Sequence, residues 1–230
     1  MSLGEYIGAG AGTTKLLLHL NGSSADSSGN NNNGTDTAIT YSQANGKFGQ
    51  GAGLVGTSYI SIPTQTYFNL QSSFSIFTWI YQTSAGKATA YVEDLVRKDN
   101  NTTNNRSWEF TITGPMDTQG RLRFIYNIPS NLSVYSTSTV SLNAWHSVGV
   151  VSTAGTYTFY LDGVAIGSGS TNITPAYQGT APLNIGTQEN VQYIESMVGN
   201  QDEVIIDNVA WTPQQVAKYY AYAKGRFGII

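Results

Sequence analysis

The chain has 230 residues, 40% hydrophobic and only 11% charged, with a net charge of −3 and no cysteine. An average soluble domain is roughly 25% charged, so Ser, Thr, Asn, Gln, Gly and Tyr must form most of the polar surface here. An acidic balance without Lys/Arg clusters excludes an electrostatic grip on nucleic acid, and the missing cysteines exclude disulfides, zinc–thiolate centres and thiol nucleophiles.

Residues 1–13 read as an N-terminal arm. They lack the basic and apolar regions of a secretory signal, and Gly8-Ala9-Gly10-Ala11-Gly12 is too flexible for a helix. Residues 15–20 read as a buried strand, and a loop dense in Ser, Asn and Gly follows over 21–35. Short β-type runs then recur between turn signals, at 39–41, 52–55, 59–63, 74–82, 95–98, 108–113, 121–126, 134–140, 145–153, 157–161, 164–167, 183–186 and 202–210. Short strands without intervening helices predict an all-β fold, a two-sheet sandwich or barrel. Asp162-Gly163 supplies the two positive-φ residues of a type I′ hairpin. One helix is predicted over 213–224, with Thr212 as N-cap, Pro213 in its first position and Gln215 completing a capping box. Trp211 and Val216 are spaced for a hydrophobic staple. One domain over 14–225 and an apolar tail at 226–230 complete the chain. No apolar run reaches the roughly 18–20 residues of a membrane span.

Asp202, Glu203 and Asp207 crowd one predicted strand. Strand alternation puts Asp202 and Glu203 on opposite faces, and leaves Glu203 and Asp207 on one face roughly 13 Å apart. Glycosidase carboxyls stand about 5–9.5 Å apart, so this stretch does not read as a catalytic pair. His19 and His146, the only histidines, fall in predicted strands without a Gly-x-Ser-x-Gly elbow, and read as core or edge residues. The basic groups Arg97-Lys98 and Arg121-x-Arg123 read as strand-edge charges. A glycan site needs exposed aromatic platforms beside amides and hydroxyls. Tyr91, Trp108, Tyr126, Tyr135, Tyr177 and Tyr193 lie in or beside loops and are the candidates. Leu3, Tyr6 and Ile7 of the arm, with Phe227, Ile229 and Ile230 of the tail, are expected to pack on their own sandwich or to anchor the chain to a neighbouring subunit.

Several segments, in order, carry a family likeness: 26–35 (DSSGNNNNGT), 46–54 (GKFGQGAGL), 59–63 (YISIP), 74–79 (FSIFTW), 142–145 (LNAW), 159–164 (FYLDGV), 182–186 (PLNIG) and 202–204 (DEV). Together they resemble the laminin-G-like branch of the concanavalin A-like lectin/glucanase superfamily. The resemblance implies a jelly-roll sandwich of two antiparallel sheets with one short C-terminal helix. It also implies one structural Ca²⁺, with Asp26 and Asp202 at the matching positions; the alternative is an Asx-turn at Asp26 and a strand-edge cap at Asp202. Two departures are visible: Ser147 stands where the family often has histidine, and 86–94 looks like an insertion. Stand-alone domains of this kind resemble bacteriophage structural proteins. The expected function is therefore a non-catalytic virion-surface protein, a capsid decoration or a tail or fibre component present in many copies. Its partners would be other virion subunits and host-surface glycans. The alternatives are an extracellular carbohydrate-binding lectin and, less favoured, a glycoside hydrolase.

Overall fold

The computed structural model describes residues 8–10, 12–70, 73–84, 92–99, 107–126, 132–170, 180–187 and 195–225, the side chains of 224 and 225 excepted. Runs rich in β-branched and aromatic residues favour pleated strands. They form β1 (Thr14–Leu18), β2 (Thr35–Thr37), β3 (Thr40–Ser42), β4 (Gly51–Val55), β5 (Tyr59–Ile62), β6 (Ser73–Gln82), β7 (Val92–Lys98) and β8 (Trp108–Thr113). The series continues with β9 (Arg121–Tyr126), β10 (Leu132–Thr139), β11 (Trp145–Thr153), β12 (Thr156–Leu161), β13 (Val164–Ser170), β14 (Leu183–Ile185) and β15 (Val198–Asp207). Each run expected from the sequence appears within a few residues. β2 was not expected, because Thr35-Asp36-Thr37 has no apolar residue to reveal it.

The strands make two antiparallel sheets packed as a jelly-roll sandwich. The eight-stranded sheet runs β13-β12-β11-β6-β15-β4-β3, with β1 also paired to β15, and the seven-stranded sheet runs β10-β9-β8-β7-β14-β5-β2. Leu16, Phe74 and Val204 from the first sheet meet Ile60, Phe110 and Phe124 from the second in the core between them. A second apolar layer lies on the far side of the eight-stranded sheet, where α1 (Pro213–Gly225) packs Val216 and Tyr219 against Phe77, Trp79 and Ile205.

The start of α1 follows the capping rules. Gln215 N donates to Thr212 Oγ1 at 3.3 Å, and Thr212 N donates to Gln215 Oε1 at 2.6 Å. Trp211 and Val216 are both buried there, with Trp211 stacked on Phe77 at 4.9 Å between ring centroids. The hairpin also forms as expected, with Asp162 at φ 50° and Gly163 at φ 81°. The helix thus closes one outer face of the sandwich.

Bulges and register shifts break the two-residue period at several places, and those in β7 and β15 reposition acidic residues. In β7, Asp94 pairs with Thr111 and Val96 with Phe110, so Leu95 is an extra residue. In β15, Asp202 pairs with Trp79 and Ile205 with Phe77, and Glu203 takes the left-handed conformation at φ 52°.

Packing between β11 and β6 gives a direct test. Gly149 pairs with Phe77, and a Cβ on it would lie 2.2 Å from that ring. Gly149→Ala is expected to lower stability by ~1–3 kcal/mol through overpacking, read as a lower urea midpoint. An unchanged midpoint would contradict this packing.

Candidate functional site

On the outer face of the seven-stranded sheet, the Leu95 bulge brings Asp94 and Arg97 to one side. Arg97 Nη1 donates to Asp94 Oδ2 at 2.6 Å and to Glu195 Oε2 at 2.8 Å, while Nη2 donates to Glu109 Oε1 at 2.8 Å. Asp99 stands 3.6 Å from the same guanidinium. Arg97 and Lys98 are fully buried, so neither is the strand-edge charge expected from the sequence. Burial opposes the charge on Arg97, but Asp94, Glu109 and Glu195 outweigh it and hold its pKa well above the ordinary value. Burial pushes Asp94 well up, against Arg97 and with help from Glu195 and Glu109. Beside this cluster, the buried Asn184 has neither amide atom hydrogen-bonded among the described residues, and Thr111 Oγ1 is likewise without a partner there. Asn184 and Thr111 are the register partners of Arg97 and Asp94.

Further along the sheet, at β9 and β10, the same face becomes basic and opens to solvent. Arg121 and Arg123 alternate onto it, and Tyr135 of β10 pairs with Arg123. The guanidinium carbons lie 4.5 Å (Arg121) and 5.6 Å (Arg123) from the centre of the Tyr135 ring, within cation–π range. Arg123 Nε and Nη2 donate to Ser133 Oγ at 3.0 and 2.8 Å. Among the described residues Arg123 makes no ion pair, and Arg121 has one long contact, to Asp117 at 3.3 Å. Each guanidinium carries five donors and no acceptor, so this patch is rich in donors held in place by an aromatic ring.

The other aromatic candidates fare differently. Trp108 is buried, with its indole Nε1 donating to Phe68 O at 2.8 Å, and Tyr126 is buried against Phe124 and Tyr157. Alternation along β8 and β9 turns positions 108, 110, 112, 122, 124 and 126 into the core, which removes Trp108 and Tyr126 as exposed platforms. Tyr135 stays half-buried on the outer face. Tyr91, Tyr177 and Tyr193 lie outside the described residues, as do Leu3, Tyr6, Ile7, Phe227, Ile229 and Ile230.

Asp26 and Asp202, the positions implied for Ca²⁺ by the family resemblance, both accept backbone N–H groups. Asp26 Oδ1 accepts from Leu17 N and Ser28 N, and Oδ2 accepts from Ser28 Oγ and Asn32 N, at 2.8–3.1 Å. It ties the Asn-rich loop to β1. Asp202 Oδ2 accepts from Lys47 N and Phe48 N, both at 2.9 Å. Asp202 Oδ1 is buried without a hydrogen-bond partner among the described residues, and no group of three His, Asp or Glu converges among those residues.

The β15 bulge overturns the expected split of its acids. Asp202 pairs with Trp79 on the helix side, and Tyr219 of α1 feels the charge of both Glu203 and Asp202. Glu203 turns to His19, with both carboxylate oxygens 2.8–2.9 Å from Nδ1. Together with Asn21, Ser23, Ser27 and Phe48 they line a cleft of about 200 Å³. That is smaller than the ~300–1,000 Å³ of typical small-molecule sites.

His146 is not an isolated histidine. Its Nδ1 lies 2.8 Å from Asp162 Oδ2 and its Nε2 lies 2.8 Å from Ser141 Oγ. These distances match a hydrolytic triad, but Ser141 is exposed and is not among the residues that line the His19–Glu203 cleft. Asp162 Oδ1 also accepts from Ser147 N at 2.9 Å, so the chain of bonds fastens the β12–β13 hairpin to β11.

A family model described as the concanavalin A-like lectin/glucanases superfamily, Laminin_G_3, matches residues 54–217. No curated protein matches the chain. Among solved structures, it is similar to domain 4 of AbnA, a GH43 extracellular arabinanase from Geobacillus stearothermophilus, in complex with arabinotriose. The TM-score is 0.70 at 20% identity, over 89% of this chain and 97% of that one. It is similar to the binding domain of Paraclostridial Mosquitocidal Protein 1, with a TM-score of 0.65 at 20% identity over 85% of this chain and 48% of that one. A botulinum neurotoxin type C structure, described with cell entry dependent on two ganglioside molecules, gives 0.69 at 14% identity over 96% and 53%. The chain spans about half the length of these two toxin chains. At such identities the likeness is one of fold.

Proposed function

The chain belongs to the Laminin_G_3 family of the concanavalin A-like lectin/glucanases superfamily, and from that premise we propose that it is a non-catalytic carbohydrate-binding protein. Its sugar site is the open half of the seven-stranded sheet's outer face. The observation that carries this reading is Tyr135, an aromatic ring on that face flanked by Arg121 and Arg123 with donors to spare. Arabinotriose on the AbnA domain and gangliosides in the neurotoxin description support carbohydrate as the ligand class. The non-catalytic reading rests on how the acids are used. Asp94, Glu109 and Glu195 are all tied to one guanidinium, and Asp202 holds backbone N–H groups.

The protein acts on the surface of a bacteriophage virion, as a capsid decoration or a tail or fibre component. Many copies would each make a weak glycan contact, and multivalency would supply the strength. The sparsely charged, Ser/Thr/Asn-rich composition supports this setting. A glycan array probed with the full chain tests the reading, followed by titration of the best ligand. Tyr135→Ala is expected to weaken that ligand by about tenfold, as loss of a central aromatic anchor does. The absence of any glycan binding, or full affinity in the variant, would remove this site assignment.

A further inference from the structure

Resting on the sugar site just proposed, the geometry points to its preferred ligand: an acidic saccharide, whose carboxylate is received by Arg121 and Arg123 beside Tyr135. A neutral sugar hydroxyl both donates and accepts, so a site for neutral sugars mixes amides, carboxylates and hydroxyls. The β9–β10 patch is unbalanced in the other direction. Among the described residues Arg123 has only the neutral Ser133 hydroxyl as hydrogen-bond partner, engaged through Nε and Nη2, which leaves Nη1 without one there. Arg121 engages Asp117 through Nη2 at 3.3 Å, and its Nη1 has no hydrogen bond among the described residues. The Tyr135 hydroxyl makes no hydrogen bond among the described residues. An acceptor-only group satisfies such donors best, and a planar carboxylate fits the guanidinium fork.

The rest of the sheet face sharpens the preference. At the β7–β8 end, four carboxylates surround the single guanidinium of Arg97, so that end repels an anion. At the β9–β10 end, two guanidiniums face one carboxylate, Asp117. A saccharide with one acidic group is therefore received in one place and one polarity along the face. Packing of both guanidiniums on the Tyr135 ring holds them before the ligand arrives, which reduces the ordering cost of binding.

The test uses the full chain and paired probes: oligogalacturonate and sialyl-lactose, each as the free acid and as its methyl ester. The free acids are expected to bind about tenfold or more tightly than the esters, and their affinity should fall as salt rises. Arg123→Gln should weaken the free acids far more than the esters and so erase most of that preference, and Arg121→Gln should reduce it in part. Equal affinity for acids and esters, or binding on the glycan array confined to neutral sugars, overturns the acidic-ligand inference but leaves the sugar site standing. Failure of every glycan, acidic and neutral, overturns both.

Discussion

Arg97→Met is expected to destabilise the protein by about 3–5 kcal/mol, the usual effect of removing one partner from a buried ion pair. The magnitude comes from the charges left behind. Asp94 and Asp99 are fully buried and Glu109 is 5% exposed, so removing the guanidinium leaves like charges near one another where water screens them little. Glu195, with its side chain 31% exposed, can turn to solvent and adds less. The measurement is the urea midpoint at pH 7 and at pH 5. Destabilisation should be largest at pH 7 and shrink at pH 5, where protonation neutralises part of the cluster. Arg97→Met with Asp94→Asn should recover part of the loss, because one stranded charge goes with the cation. A single variant as stable as the wild type would mean that the cluster contributes nothing to folding.

The Arg97 cluster also shows what the sequence withheld. Alternation within each apolar run revealed most strands, and the Thr212–Gln215 spacing revealed the helix start, because both are local patterns. A bulge is also local, but it has no residue signature in either strand. Leu95 reads as an ordinary strand residue, yet it shifts the period by one and puts Asp94 on the same side as Arg97. Glu203 does the same in β15, and so the expected opposition of Asp202 and Glu203 failed.

The candidate site was legible only in part. Tyr135 was named as an aromatic beside a loop, which is a correlation with exposure and not a measure of it. Trp108 and Tyr126 met the same criterion but point inward, since alternation gives two faces without saying which is the core. Arg121-x-Arg123 had the spacing of two residues on one face, and that was the available signal. The significance of Arg121 and Arg123 depends on Tyr135 from the next strand, a pairing that only the register supplies. Some family motifs turned out to bind each other. Asp202 of the DEV segment accepts the N–H groups of Lys47 and Phe48 in the GKFGQ segment, so this pair marks the scaffold rather than the ligand site.

Two of the buried acids give the protein an unusual pH profile. Burial raises Glu93 from its ordinary 4.5 to about 8, only partly offset by hydrogen bonds from Gln82 and the Val198 backbone. Burial likewise raises Asp202 from 3.8 to about 7 against the N–H groups of Phe48 and Lys47, with the Glu203 charge adding to the rise. In both cases the folded protein keeps the proton over a range where the unfolded chain has lost it. Unfolding then releases protons, so stability falls as pH rises through that window and levels off above the folded-state value. The window is about 4.5–8 for Glu93 and about 4–7 for Asp202, and Asp207, also raised by burial, acts in the same direction. The wild type is therefore expected to be more stable at pH 5 than at pH 8, by an amount on the order of several kcal/mol. Lys98, lowered by burial to about 8, reverses the slope only above that pH. Glu93→Gln isolates the larger effect. It keeps the shape and the contact with Gln82 but has nothing to ionise, so it should match the wild type near pH 5 and exceed it at pH 8. Urea midpoints for both proteins at half-unit steps from pH 5 to 8 decide the matter. Two curves that stay parallel over the whole range would show that Glu93 is ionised in the folded protein.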